Sequence, residues 1–255
     1  MQTQFPLSIP FKTASAILRR IFGDRRCVLC RSVYTGESPL CPRCLALLTA
    51  EQAETSLSRQ HPESSYNSEN PAHAFSKVYS CGSYTGILRD MILAWKFNGR
   101  TEFGSVFRGM IAESADRIGR DCRPELIVPV PLHPSRLRKR GFNQSLVLAK
   151  YISAFSDSPL DKKSLARVRK TIPQSSLSGD ERRENLHGAF AAEHHAFSGK
   201  RILLVDDVFT TGSTVGECAR TMLEAGAEEI NVLVLARARR NDSTLNTIHS
   251  FGNGI

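Results

Sequence analysis

Two adjacent carboxylates, Asp206 and Asp207, stand in the run RILLVDDVFTTGSTVGECARTMLEAGA (Arg201 to Ala227), just ahead of a cluster of hydroxyl residues. Leu203, Leu204 and Val205 form an apolar stretch of strand type, so the acids emerge at its carboxyl end. In an open parallel sheet, ligands bind at that edge. Thr210, Thr211, Gly212, Ser213 and Thr214 then lead into a helix whose core face is expected at Val215, Cys218, Ala219, Met222 and Leu223. Backbone N–H groups and hydroxyls converging at a helix N-terminus suit an anion, phosphate above all. Two ionised carboxylates repel that phosphate unless sugar hydroxyls or a divalent cation such as Mg²⁺ meet them. The ligand implied is a phosphorylated sugar, its phosphate on the loop and its ring hydroxyls on the acids. A merely capped helix would explain the Thr-Gly-Ser but not both acids.

The cysteines point to a second chemistry. CVLC and CPRC place Cys27, Cys30, Cys41 and Cys44 as two Cys-x-x-Cys pairs with a short loop between them. Each pair forms a knuckle, and two facing knuckles complete a tetrahedral sulfur cage for zinc. A segment this short buries too little surface to fold unaided, so a metal would supply folding energy. Four sulfurs close the coordination shell, which makes the expected zinc structural. A redox pair would sit at the strand–helix junction of a thioredoxin-like unit, and none is read here. Cys81, Cys122 and Cys218 are scattered and are expected to be small buried hydrophobes.

A third group is basic. RLRKRGFNQ gathers Arg136, Arg138, Lys139 and Arg140 ahead of Gly141, Phe142, Asn143 and Gln144, and reads as a basic hairpin with a glycine hinge. Such a cluster suits a nucleic-acid backbone with a stacked base, or a pyrophosphate group; a solvated turn is the plain alternative. The amides of Asn143 and Gln144 either touch a ligand or cap the next helix. Arg237, Arg239 and Arg240 end the last expected strand near the same edge. The formal net charge of +9 fits a polyanionic partner or phosphate-rich ligands.

The elements that must position these groups follow from apolar patterning. KVYSCGSY, ELIVPVPL, RILLVDDV and INVLVLARA read as strands. GILRDMILAWKF and FNQSLVLAKYISAF read as helices, the second with Leu148, Ile152 and Phe155 on one face. The continuous apolar runs are of the kind found in parallel strands covered on both faces, and their alternation with helices implies an α/β domain. Residues 1–50 are expected to hold an amphipathic docking helix (Phe11 to Phe22) and the cysteine module, which folds apart from the sheet's core. Residues 51–74 read as a polar linker, 75–240 as the α/β domain and 241–255 as a flexible tail. No stretch reaches the roughly 18 apolar residues of a membrane span, and no apolar signal segment opens the chain, so the cytoplasm is the expected compartment.

VDDVFTTGST resembles the motif that binds phosphoribosyl pyrophosphate (PRPP) in type I phosphoribosyltransferases. Taken in order with the cysteine knuckles, YTGILRDMILAWKFNGR, VPVPLHPSRLRKRGFNQSLVLAK and RKTIPQSSLSGDERRENLHGAF, it makes the chain resemble the ComF family from about Cys27 to Ala238. The resemblance implies a type I phosphoribosyltransferase-like parallel sheet flanked by helices, with a small N-terminal four-cysteine module of zinc-ribbon type. It assigns Asp206 and Asp207, as the catalytic pair, to the ribose hydroxyls and Mg²⁺, and Thr210 to Thr214 to the 5′-phosphate. VPVPLH, with Pro131 and Leu132, takes the place of the pyrophosphate loop. Arg136, Arg138, Lys139, Arg140, Asn143 and Gln144 would then contact pyrophosphate or a DNA backbone, and Lys170 to Phe190 would close over the substrate.

The implied process is natural competence, with PRPP or a related phosphorylated ribose as ligand and single-stranded DNA and a competence helicase as partners. Two other readings stay open: an active phosphoribosyltransferase (a pentosyl-group glycosyltransferase) of nucleobase or nucleotide salvage, and a PRPP-sensing regulatory or gluconate-utilisation-linked protein. No acceptor pocket for a base is evident in the sequence.

Overall fold

The computed structural model describes residues 23–57, 74–171 and 185–238. The expected docking helix, most of the linker, residues 239–255 with Arg239 and Arg240, and most of the closing loop lie outside those residues. Strands β1 (Asp24–Arg26) and β2 (Val33–Thr35) form a small antiparallel pair, and helix α1 (Pro42–Leu57) follows. Next come β3 (Lys77–Ser83), α2 (Gly86–Phe97), a 3₁₀ turn (Thr101–Phe103), α3 (Gly104–Asp121) and β4 (Leu126–Pro129). After them run α4 (Pro134–Arg140), α5 (Gln144–Phe155), β5 (Leu165–Arg167), β6 (Phe190–Ala192), β7 (Arg201–Phe209), α6 (Ser213–Glu224) and β8 (Glu229–Arg237).

The main sheet has the order β3-β8-β7-β4 and is parallel throughout, as the apolar runs require. Successive residues of a strand face opposite sides. Leu203, Val205, Leu233 and Leu235 accordingly pack in one cluster with Trp95, Phe107, Ile111 and Leu148. Ile202, Leu204, Val232 and Val234 pack in the other with Phe197, Cys218, Ala219 and Met222. Cys81, Cys122 and Cys218 are buried, as expected of small hydrophobes.

Several expectations need correction. The basic segment is a helix, α4, rather than a hairpin: Pro134 occupies its first turn, and Gly141 ends it in the left-handed conformation at φ 81°. Phe155 is 40% exposed and Leu223 is 38% exposed, because each lies in the last turn of its helix where the core face has rotated into solvent. Helix α1 carries the chain to Leu57, beyond the expected linker start at residue 51, and α3 has no counterpart among the sequence expectations. The cysteine module also does not pack apart from the sheet. Cys27, Leu40, Cys41, Cys44 and Leu48 share one buried cluster with Tyr79, Trp95 and Phe103.

Candidate functional site

Alternation along β7 separates the two acids. Asp207 continues the face of Leu203 and Val205, where the last turn of α2 brings Lys96; its Nζ lies 2.8 Å from Asp207 Oδ1. Both side chains are nearly enclosed, at 14% and 12% exposed. A buried ion pair adds little net stability, so its presence here argues for use. Asp206 lies on the opposite side, and its Oδ1 accepts hydrogen bonds from the Ser145 hydroxyl and the Asp207 backbone N–H, each at 2.9 Å. Burial, then the neighbouring Asp207 charge, push the Asp206 carboxyl up to about 7. Such an acid stays ionised readily only when a cation or sugar hydroxyls compensate it.

The hydroxyl loop follows at once. Gly212 caps α6 in the left-handed region at φ 78°. A Cβ at Gly212 would lie 2.7 Å from the Phe209 ring, so glycine answers both the backbone angle and the space. Thr211 Oγ1 lies 2.9 Å from Ser213 Oγ and accepts from the Ser213 N–H at 3.4 Å. Residues from Val208 to Val215, with Asp206, enclose a small concavity of about 30 Å³ at the helix N-terminus.

A larger cleft of about 580 Å³ opens beside it, lined by both acids, Thr210, Thr214, Lys96 and, on the facing wall, Leu132, Arg136, Lys139, Arg140 and Gln144. That volume is in the range of small-molecule sites. Arg136 Nη2 donates to the Thr171 carbonyl at 3.2 Å, and Arg140 Nη1 donates to Gln144 Oε1 at 3.3 Å. Burial and then Arg140 lower the Arg136 pKa, which marks a wall short of anions. Of the other sequence candidates, Arg138 is exposed and does not line the cleft. Asn143 serves as a cap: its Oδ1 accepts from the Ser145 N–H at 3.0 Å while its Nδ2 holds the Val130 carbonyl at 3.0 Å. Pro131 shapes the loop after β4 without lining the cleft. Arg237 places its guanidinium 5.5 Å from the centre of the Phe209 ring.

Sequence reasoning missed Lys96, Ser145, Arg167, Tyr84 and Phe97, all of which line the cleft. For Arg167 a signal existed. In the strand Leu-Ala-Arg it shares the inward face with Leu165, and it is only 8% exposed. For Lys96 only the fold reveals the partner, since Asp207 lies far along the chain.

Cys27, Cys30, Cys41 and Cys44 come together as their spacing requires, with all four sulfurs within 4.8 Å of one another and Cys30 Sγ 3.7 Å from Cys41 Sγ. Zinc–sulfur bonds of about 2.3 Å in a tetrahedron put sulfurs about 3.8 Å apart, so the cage fits that metal.

Known proteins resemble the chain along most of its length. Residues 143–251 match the family described as phosphoribosyl transferase domain. Competence protein F of Haemophilus influenzae is 31% identical over 229 residues, covering 85% of this chain and 99% of that protein. The chain belongs to the ComF family. DNA utilization protein YhgH of Escherichia coli K12 is 30% identical over 83% of this chain and 89% of that protein. Competence protein ComFC of Bacillus subtilis is 27% identical, over 61% of this chain and 62% of that protein. Among solved structures, a purine phosphoribosyltransferase from Pyrococcus horikoshii superposes with a TM-score of 0.33 and 18% identity, over 51% of this chain and 80% of that one. The phosphoribosyl transferase match starts at Asn143, so the cysteine module and the α4 cations of this ComF chain lie outside it.

Proposed function

We propose that the cleft binds PRPP or a related phosphorylated ribose together with Mg²⁺, and that the protein serves single-stranded DNA uptake in natural competence. One observation carries the reading: an acid pair with a raised Asp206 adjoins a glycine-capped anion loop in one cleft. Asp206 and Asp207 would hold Mg²⁺ and the ribose hydroxyls, and the Thr210 to Thr214 loop would hold the 5′-phosphate. Mg²⁺ would supply countercharge for the acids and for the pyrophosphate. Lys96 pairs with Asp207 and orients it before any ligand arrives. Arg136, Lys139 and Arg140 offer donors to pyrophosphate or to a DNA backbone along the facing wall. The names of the relatives, Competence protein F and DNA utilization protein, support the biological process. The four-sulfur cage would hold a structural zinc.

A transferase reading is favoured by the cleft's extension past the acids to Phe97 and Tyr84, which leaves room for an acceptor. In that reaction an acceptor nitrogen attacks C1′ of PRPP as its bond to pyrophosphate breaks. The protein's part is positioning plus charge compensation.

Calorimetry with PRPP and Mg²⁺ tests the binding claim. The double variant Asp206→Ala/Asp207→Ala should weaken binding by at least roughly a hundredfold, while circular dichroism shows the fold retained. Equal affinity in the variant would overturn the reading.

A further inference from the structure

Phe97 closes α2 at the mouth of the cleft and is 65% exposed, more than any other large hydrophobic side chain among the described residues. As the last residue of α2 the ring leaves the core, whereas Trp95, two residues earlier, is 1% exposed and sits in an aromatic cluster with Phe107 and Phe142. The Arg140 guanidinium lies 5.1 Å from the Phe97 ring centroid, so one side of the ring is backed by a cation while most of the side chain stays open. Arg140 is itself held by Gln144, a buried side chain whose Nε2 has no hydrogen-bond partner. The ring therefore has a fixed backing. It also follows directly on Lys96, whose Nζ touches Asp207. A flat group resting on Phe97 is thus a close neighbour of anything bound to the acid pair.

We propose that Phe97, backed by Arg140, is a stacking platform for a nucleobase. The chemistry is specific. An open aromatic face flanked by cations recognises a flat π-system attached to a sugar-phosphate. An apolar protein partner would meet Arg140 at the ring and Arg136 and Lys139 in the same cleft, which argues against it. The platform rests on the ribose-phosphate reading of the cleft for where the sugar lies. It supplies the base-holding element that the sequence lacks. The base comes either from a free acceptor or from a single strand of DNA.

The test uses the full-length protein and three probes: a labelled oligothymidine strand, free adenine or uracil in the presence of PRPP and Mg²⁺, and PRPP with Mg²⁺ alone. Phe97→Ala should weaken strand or free-base binding by about 5- to 100-fold. It should leave the slope of log affinity against log salt unchanged, because no phosphate contact is removed. Phe97→Trp should bind at least as tightly as the native protein, and both variants should keep its melting temperature and its PRPP affinity. Loss confined to the strand identifies DNA as the source of the base. Loss of free-base binding identifies an acceptor. Phe97→Ala binding both probes as the native protein does would overturn the platform, as would a flattened salt slope, which would make the ring a prop for the cations. Native protein that binds no PRPP would instead defeat the ribose-phosphate reading, an outcome distinct from either.

Discussion

Asp206 is the most informative side chain in the molecule because its ionisation is contested. Burial and Asp207 raise it to about 7, while Ser145 and the Asp207 N–H hold one of its oxygens. A bound cation must compete with a proton at this carboxyl. Affinity for PRPP with Mg²⁺ should therefore fall below about pH 7, by up to about tenfold per pH unit. In Asp206→Asn that dependence should vanish at a weaker overall affinity. The stability sign is opposite to that of a salt-bridged acid. With its folded pKa raised above the usual carboxylate value, Asp206 contributes stability that is fully present below about pH 4 and is lost as pH rises through about 7. Asp206→Asn should consequently raise the melting temperature relative to the native protein by more at pH 8 than at pH 5. Thermal melts at the two pH values check this, and an equal shift at both would remove the charge from the account.

Helix α2 works as an element because both of its ends are held by the cysteine module. At the N-terminus both Glu51 carboxylate oxygens accept from the Ile87 N–H, each at 3.1 Å. Gly86, at φ 46°, keeps that approach open, since a Cβ there would lie 2.1 Å from Glu51 Oε1. A carboxylate here also meets the positive end of the helix dipole. Beyond the C-terminus, Arg100 donates to the Val28 carbonyl, and its Nε pairs with Glu102 at 2.5 Å. This seat fixes Lys96 on Asp207 and presents Phe97 at the mouth of the cleft. Glu51→Ala should cost about 1 kcal/mol in urea unfolding and should also weaken PRPP binding several-fold. A stability loss with no change in affinity would show that the seat does not position Lys96.

At the scale of the whole molecule, the cysteine module and the sheet share one buried cluster, so a metal held by the four cysteines would contribute to global stability. Elemental analysis of reduced protein should find one zinc per chain. Cys41→Ser, or a strong chelator, should destabilise the entire described fold by on the order of several kcal/mol. Calorimetric scans should show a single transition moving to lower temperature. Two separate transitions, with that of the sheet unmoved, would contradict the shared core. Of the 34 lysines and arginines behind the net charge of +9, Arg136, Lys139 and Arg140 of α4 line the cleft. No described helix is long and apolar enough to cross a membrane.

What the sequence alone determined is local and periodic. The apolar runs of β7 and β8, the helix of α2, the acid pair followed by the hydroxyl loop, and the paired cysteine knuckles are all legible because each depends on neighbours within a few residues. Contacts between distant segments were decided only by the tertiary structure. Lys96 reaches Asp207 because parallel pairing sets the carboxyl ends of β3 and β7 at one edge of the sheet, and α2, which starts three residues after β3, keeps its last turn beside Asp207. The split of the two acids between Lys96 and Ser145 likewise depends on helices α2 and α5, which reach the carboxyl end of β7 from distant parts of the chain. The RLRKR run became a helix because His133 caps it and Gly141 ends it in the left-handed region, and that geometry turned Arg138 away from the cleft while Arg136 and Arg140 face it. Composition counts charges, but the direction in which each one points depends on backbone angles and on packing partners remote in the chain.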